Sequence, residues 1–170
     1  MMLSPNQQKW LKVFHLIFGS LWFSSIVTMT AITVLAGGLT DGGEFYMLNV
    51  VYHFIDFKIL TPAAIGTFST GLIYSLFTKW GFFKHGWLVY KWIVTLGLVL
   101  IGTFYLGPMT TEMVDISKEL GIAAQGNEEF LLRWQIGLWA GFINAALLLI
   151  AFIVSTLKPW KNIRKLSNRT

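Results

Sequence analysis

The chain contains 170 residues, of which 55% are hydrophobic and only 12% are charged. Soluble domains carry roughly 25% charged residues, and a globule of about 150 residues still exposes roughly 30% of its unfolded surface area. The composition therefore excludes an ordinary water-soluble globule and predicts that part of the chain lies in lipid. The absence of cysteine excludes disulfides, zinc–thiolate sites, iron–sulfur clusters and thiol chemistry. A net charge of +5 would suggest nucleic acid as the partner of a soluble protein, but the basic residues are segregated along this chain, which indicates a membrane and no nucleic-acid partner.

Four long segments without Asp, Glu, Lys or Arg predict four transmembrane helices. A bilayer core is about 30 Å thick and requires roughly 20 apolar helical residues. The uncharged windows cover residues 14–38, 59–78, 92–111 and 134–157. The spans are predicted at about 10–37, 50–77, 87–107 and 131–157, with a short helix on the outer surface at about 109–120. The fold class is therefore all-α, a single domain over residues 1–170 in which four spans form an up-down bundle.

Residues at the helix ends agree with these limits. Ser4 can cap the first helix, Pro5 suits its first turn, and Gln7 completes a capping box. Gly121 is expected to end the short outer helix, and Asn127 to cap the fourth span. The first helix should therefore begin before the chain enters the lipid.

Charge alternates between the connecting segments, and this alternation predicts the orientation. Basic residues without acids occupy three segments: Lys9, Lys12, Lys79, Lys84, Lys158, Lys161, Arg164, Lys165 and Arg169. The other connectors hold Asp41, Glu44, Glu112, Asp115, Glu119, Glu128 and Glu129, with only Lys118 and Arg133 against them. The positive-inside rule places the basic segments in the cytoplasm. We therefore expect a multi-pass protein of the bacterial cytoplasmic membrane with both termini on the cytoplasmic side.

Two ionisable residues are predicted to share a layer near the cytoplasmic boundary. His15 lies about a turn after Lys12, and Lys91 about a turn after Trp87. A charge at the bilayer centre costs about 2.5–3.5 kcal/mol on insertion scales, so each residue requires a compensating partner or a functional role. As one site, a neutral imidazole would serve as metal ligand or proton acceptor, and the ammonium would hold an anionic group. The alternative is structural: Lys91 extends to the headgroups, and His15 bonds a hydroxyl across the bundle.

A second group of ionisable residues lies where the second span enters from the outer side. His53 and Asp56 are three positions apart and share a helix face, so the carboxylate can orient the imidazole, and Lys58 follows. Pro62 deprives the Lys58 carbonyl of its helical donor, which predicts a kink and a free acceptor. These features predict a pocket, with His53 as the second candidate metal ligand. The alternative is a hydrated outer face, because a helix over 45–77 would be about 50 Å long and must protrude or tilt.

Other motifs narrow the function by their absence. The sequence contains no phosphate-binding loop, catalytic triad, zinc-protease motif or carboxylate dyad, which excludes hydrolase and nucleotide-driven functions. Gly137 and Gly141 form a small-xxx-small pair on the fourth span, a pattern typical of close helix packing.

Short motifs over most of the chain resemble one family. The segment WLKVFHLIF at 10–18, followed by Trp22, is similar to the first helix of the HemJ-type protoporphyrinogen oxidases and the related CopD-like membrane domains. GWLVYK at 86–91 resembles the motif that opens their third helix, and TPAA at 61–64 resembles their second helix. KPW at 158–160 is similar to the end of their last helix.

The resemblance implies a protein that carries heme b. His15 matches the histidine of the family's first helix, and Lys91 matches the lysine of its third; both are the catalytic candidates. The cofactor-binding candidates are His15, Lys91, His53 and Trp22, and the metal-ligand candidates are His15 and His53. HemJ enzymes oxidise protoporphyrinogen IX to protoporphyrin IX.

The working hypothesis is therefore a heme-binding integral membrane protein, an oxidoreductase acting on a porphyrinogen-like or quinone-like molecule. Its expected partners are the lipid bilayer, a porphyrin or quinone, and a second copy of the chain. Two alternatives stay open: a non-enzymatic accessory or assembly subunit, and a small transporter that would need to oligomerise to build a path.

Overall fold

The computed structural model describes residues 2–160, so the predictions on Lys161, Arg164, Lys165 and Arg169 lie outside the described residues. The described chain is almost entirely helical and has no strand. Its α-helices are α1 (Pro5–Ala36), α2 (Gly42–Ile55), α3 (Thr61–Phe77), α4 (Gly86–Ile101), α5 (Gly107–Leu120) and α6 (Glu128–Leu157). A first π turn (Asp56–Leu60) joins α2 to α3, a second (Gly102–Leu106) joins α4 to α5, and a 3₁₀ turn (Gly121–Gly126) precedes α6.

Four helical rods are long and apolar enough to cross a membrane. They are Pro5–Ala36, Gly42–Phe77, Gly86–Gly126 and Glu128–Leu157. Protein covers little of their apolar surface: only 11% of the most apolar window of the last rod is buried. The remaining apolar faces therefore need a lipid environment. These findings confirm the all-helical fold and indicate a multi-pass membrane protein.

The third rod differs from the sequence prediction. A separate surface helix is predicted at 109–120, but α5 continues directly from α4 through the second π turn. Pro108 does not end the helix there, because the π turn bonds the Gly107 N–H to the Gly102 carbonyl, five residues back. Gly121, with a φ of 54°, ends α5 as predicted.

The predicted helix caps are confirmed. Ser4 Oγ accepts from the Gln7 N–H, and the Gln7 side chain accepts from the Ser4 N–H, which closes the capping box. Asn127 Oδ1 accepts from the Phe130 N–H at the start of α6. The connectors on this side of the bundle, between α1 and α2 and before α6, contain the acidic residues, and we call this side the acidic end. The opposite side, with the start of α1 and the end of α6, is the basic end.

α1 is the element around which the bundle packs. It lies along α3 and α6, while α4 lies against α6 and α2 against α5. A middle cluster of buried apolar residues lies between these helices: Trp22, Ile26, Ala63, Ala64, Val94, Leu98 and Leu148. A second cluster closes the acidic end with Ala36, Phe45, Met113, Ala124 and Phe130.

Glycines allow α1 to approach its neighbours closely. A Cβ at Gly66 of α3 would lie 2.5 Å from the Phe18 ring, and one at Gly141 of α6 would lie 2.2 Å from Thr30 Oγ1. The small-xxx-small pattern on α6 therefore marks a helix contact, as the sequence predicts.

Candidate functional site

A polar layer near the basic end joins all four rods. His15 Nδ1 on α1 lies 2.8 Å from Thr70 Oγ1 on α3. Lys91 Nζ on α4 donates to Ser155 Oγ on α6 at 3.1 Å. We call these four residues the basic-end layer; it brings together the two residues that the sequence singled out as catalytic candidates.

The hydrogen bonds of Thr70 assign the tautomer of His15. Thr70 Oγ1 lies 2.6 Å from the Gly66 carbonyl and donates its one hydrogen there. The hydroxyl oxygen can then only accept from the imidazole, so Nδ1 of His15 carries the hydrogen and Nε2 keeps a lone pair. The alternative expectation for His15, a hydroxyl bond across the bundle, is thus met without occupying the nitrogen that a ligand would use.

A second polar group, the Asp56 cluster, consists of His53, Asp56 and Thr110. Asp56 is only 8% exposed although it lies within the second rod. Thr110 Oγ1 lies 3.2 Å from Asp56 Oδ2 and 3.1 Å from His53 Nδ1. The sequence predicts that the carboxylate orients the imidazole directly. In the structure the two groups instead meet through the Thr110 hydroxyl. Lys58 is exposed. Within residues 2–160 both ion pairs are formed by Arg133, and none involves Asp56.

Asp56 and Thr110 line an internal cavity of about 60 Å³. Three further polar residues face it, Tyr52, Thr30 and Asn144, and Asp56 alone is charged among the described residues that line it. A cavity of this size and polarity has room for a few water molecules. The cavity therefore places a single acid and a few uncharged polar groups in a mostly apolar space inside the bundle.

The two π turns build this cavity. Asp56 begins the first turn, Gly102 and Leu106 bound the second, and all three line the space. Pro62 and Pro108 follow these turns, and each proline ring opposes a carbonyl four residues earlier. Each turn accommodates its proline with a hydrogen bond to a carbonyl five residues back. π turns within α-helices are frequent at functional sites.

The two polar groups lie in different layers of the bundle. His53 and Thr70, on the same rod, are separated by about 25 Å at a rise of 1.5 Å per residue. His15, which bonds Thr70, therefore cannot share one metal ion with His53, because metal–imidazole bonds are about 2 Å long. Within the described chain, no group of three or more metal-binding side chains occurs. Trp22 lies in the middle cluster at 3% exposure and faces the cavity, not the basic-end layer.

Heme matches the donor atoms of the basic-end layer but does not fit the closed bundle. The Nε2 lone pair of His15 suits iron, and the ammonium of Lys91 suits a propionate. However, ligand pockets are typically about 300–1,000 Å³, and the 60 Å³ cavity lies in the other layer. The His15 ring is also packed on α3, since a Cβ at Gly71 would lie 3.7 Å from its Cε1. A heme would therefore have to lie outside the helix core.

Sequence reasoning found Asp56 and His53 but missed Thr110 and Tyr52. Along the sequence, each of these two residues is surrounded mainly by apolar residues. Only the packing of α2 against α5 brings Tyr52 and Thr110 close together. One sequence signal was available: the second and third rods each have a proline with polar residues within about one turn. That arrangement marks both π turns.

No family model, curated protein or solved structure matches the chain.

Proposed function

We propose that the protein is a small multi-pass transporter that handles protons through the carboxyl group of Asp56. The observation that carries the proposal is a buried carboxyl that lines a cavity with four other polar side chains and has no Lys or Arg partner in the described chain. A carboxylate without a compensating charge is costly inside an apolar bundle, so this group requires a proton or another small cation. Acids within membrane spans commonly belong to proton pathways.

The arrangement of the layers supports this function. The cavity lies on the acidic-end side of the middle cluster, and the basic-end layer lies on the opposite side. Polar groups on both sides of an apolar barrier are expected of a transporter in a closed state. A change in helix packing at the barrier would connect the two layers.

Proton flux into liposomes tests the proposal. We expect the reconstituted wild-type protein to carry protons when valinomycin imposes a potassium diffusion potential, as read by an internal pH dye. Asp56→Asn should lower this flux by about tenfold or more, because the amide cannot exchange the proton. Asp41→Asn is the matched control: Asp41 is exposed and caps α2 by accepting from the Glu44 N–H at 2.9 Å, and Asn caps equally well. A silent wild type, or equal flux in wild type and Asp56→Asn, would contradict the proposal.

We also propose that the membrane is the bacterial cytoplasmic membrane and that the basic end faces the cytoplasm. The support is the charge pattern: Lys9, Lys12, Lys79 and Lys84 lie at the basic end, and the acids flank the other end. In this orientation the Asp56 cavity lies nearer the outer face.

A second candidate function is the binding of a flat anionic redox molecule, heme b or a quinone, at the lipid-facing edge of the basic-end layer. The observation that favours it is that His15 and Lys91 belong to one polar layer, with Nδ1 of His15 bonded to Thr70 and Nε2 left for a ligand. This function would make the protein an oxidoreductase, in line with the HemJ-type resemblance.

An absorption spectrum separates the two candidates. If heme binds, protein purified in detergent after expression with ample heme shows a Soret band that His15→Ala removes. His53→Ala is the control, because His53 lies about 25 Å away along the bundle. A wild type without the band, or a band that survives His15→Ala, would rule out this ligand role for His15.

A further inference from the structure

We infer that the Thr110 hydroxyl relays protons between Asp56 in the cavity and His53 at the side of the bundle. The inference rests on the proposed role of Asp56 and adds the route by which its proton leaves. Asp56 lines the cavity, whereas His53 is partly exposed and packs on the exposed Phe57 ring, 4.5 Å between centroids. Asp56 therefore faces the cavity, whereas His53 faces the outside of the bundle.

Thr110 joins these two groups because both contact the same oxygen. Its Oγ1 lies 3.2 Å from Asp56 Oδ2 and 3.1 Å from His53 Nδ1. Within the residues the structure describes, His53 and Asp56 form no ion pair with each other. A proton that passes between them through the protein therefore crosses the hydroxyl, which both accepts and donates one hydrogen bond.

The relay moves one proton and leaves Thr110 unchanged. The Asp56 carboxyl O–H breaks and its proton bonds to Thr110 Oγ1, while the Thr110 O–H breaks and its proton bonds to Nδ1 of neutral His53. The products are a carboxylate, a neutral hydroxyl and an imidazolium, whose Nε2–H then passes its proton on toward water at the acidic end. No oxidant or other reactant is required, and the reverse sequence loads Asp56.

The Gly107 carbonyl controls when the relay is connected. It lies 2.8 Å from Thr110 Oγ1, closer than either Asp56 or His53. While the hydroxyl donates to this carbonyl, its oxygen can accept from the Asp56 carboxyl but has no hydrogen directed at Nδ1 of His53, so no proton passes. Transfer requires rotation of the hydroxyl away from Gly107, which follows the second π turn, so the relay depends on the geometry of that turn.

Substitutions at Thr110 test the relay in the liposome assay. Thr110→Val keeps the shape of the side chain but removes the hydroxyl, and it should lower the proton flux by about tenfold or more. Thr110→Ser restores the hydroxyl and should conduct close to wild type, which excludes a folding defect as the cause. Thr111→Val is the matched control, because Thr111 is the exposed neighbour. If Thr110→Val conducts like wild type while Asp56→Asn does not, the relay is wrong and the proposed function stands.

A second measurement tests the relay even if no flux is found. In protein labelled with ¹⁵N-histidine, we expect Asp56→Asn to shift the His53 ring signals in the wild-type background. In a Thr110→Val background the same change should have little effect, because the connecting hydroxyl is absent. An equal shift in both backgrounds would overturn the relay.

Discussion

Both membrane-embedded histidines place Nδ1 against a threonine hydroxyl, yet their surroundings give them different chemistry. Thr70 Oγ1 lies 2.6 Å from the Gly66 carbonyl and 3.1 Å from the Thr67 carbonyl, and donation to either carbonyl leaves its oxygen to accept from His15. Thr110 has a carboxyl group within reach as well as a carbonyl. A protonated Asp56 can donate to Thr110 when that hydroxyl turns toward His53, whereas no carboxyl group bonds Thr70 in the described chain, so a reversal of the hydrogen-bond direction is favoured at His53 and not at His15.

The hydrogen-bond direction at His15 gives a prediction at this scale. In wild-type protein labelled with ¹⁵N-histidine, His15 should show a protonated Nδ1 and an unprotonated Nε2, because Thr70 can only accept from it. Thr70→Val removes that acceptor and should produce a mixture of tautomers and a stability loss of about 1 kcal/mol. Thr70→Ser should keep the wild-type spectrum. A wild-type signal with Nε2 protonated would show that the assigned tautomer is wrong.

At the scale of helices, the ends and the packing glycines follow from sequence, and the π turns do not. Ser4 and Asn127 act through residues three positions away, so local pattern suffices to predict them. Pro62 predicts a break in the helix, but the structure has a continuous rod with a wider π turn over Asp56–Leu60 at this point. Thr110 contacts residues more than 50 positions away, and no local rule connects it to Asp56. The site was therefore half predictable: its acid and imidazole, but not the hydroxyl between them.

The close contact of α1 and α3 gives a prediction about stability. Gly66→Ala places a Cβ about 2.5 Å from the Phe18 ring, so the helices must separate or the ring must move. We expect a loss of about 1–3 kcal/mol, the usual effect of overpacking. Gly97→Ala is the matched control, because nothing lies within 4 Å of its Cβ position on α4, and it should be neutral or stabilising by up to about 1 kcal/mol. Thermal unfolding in detergent measures both; equal melting temperatures would contradict the packing of Phe18 on Gly66.

Across the whole molecule, charge is sorted to the two ends and polar groups form two layers between them. At the acidic end, Arg133 of α6 pairs with Glu112 of α5 and Glu129, which fastens the third and fourth rods together. At the basic end, Lys158 Nζ lies 5.1 Å from the centre of the Trp80 ring. The exposed side chains are apolar over most of each rod, so the orientation in a membrane would depend on the charges at the ends.

Cysteine labelling tests this orientation cleanly, because the chain has no cysteine of its own. Glu119→Cys places a thiol at an exposed position of the acidic end, and Lys79→Cys places one in the connector at the basic end. A membrane-impermeant maleimide added to intact cells should label the first variant, whereas the second should react only after permeabilisation, because lysine-rich connectors stay in the cytoplasm. The cysteine-free wild type measures background labelling. Labelling of Lys79→Cys in intact cells would reverse the orientation, so that the cavity around Asp56 would lie nearer the cytoplasm and a proton passed to His53 would leave on that side.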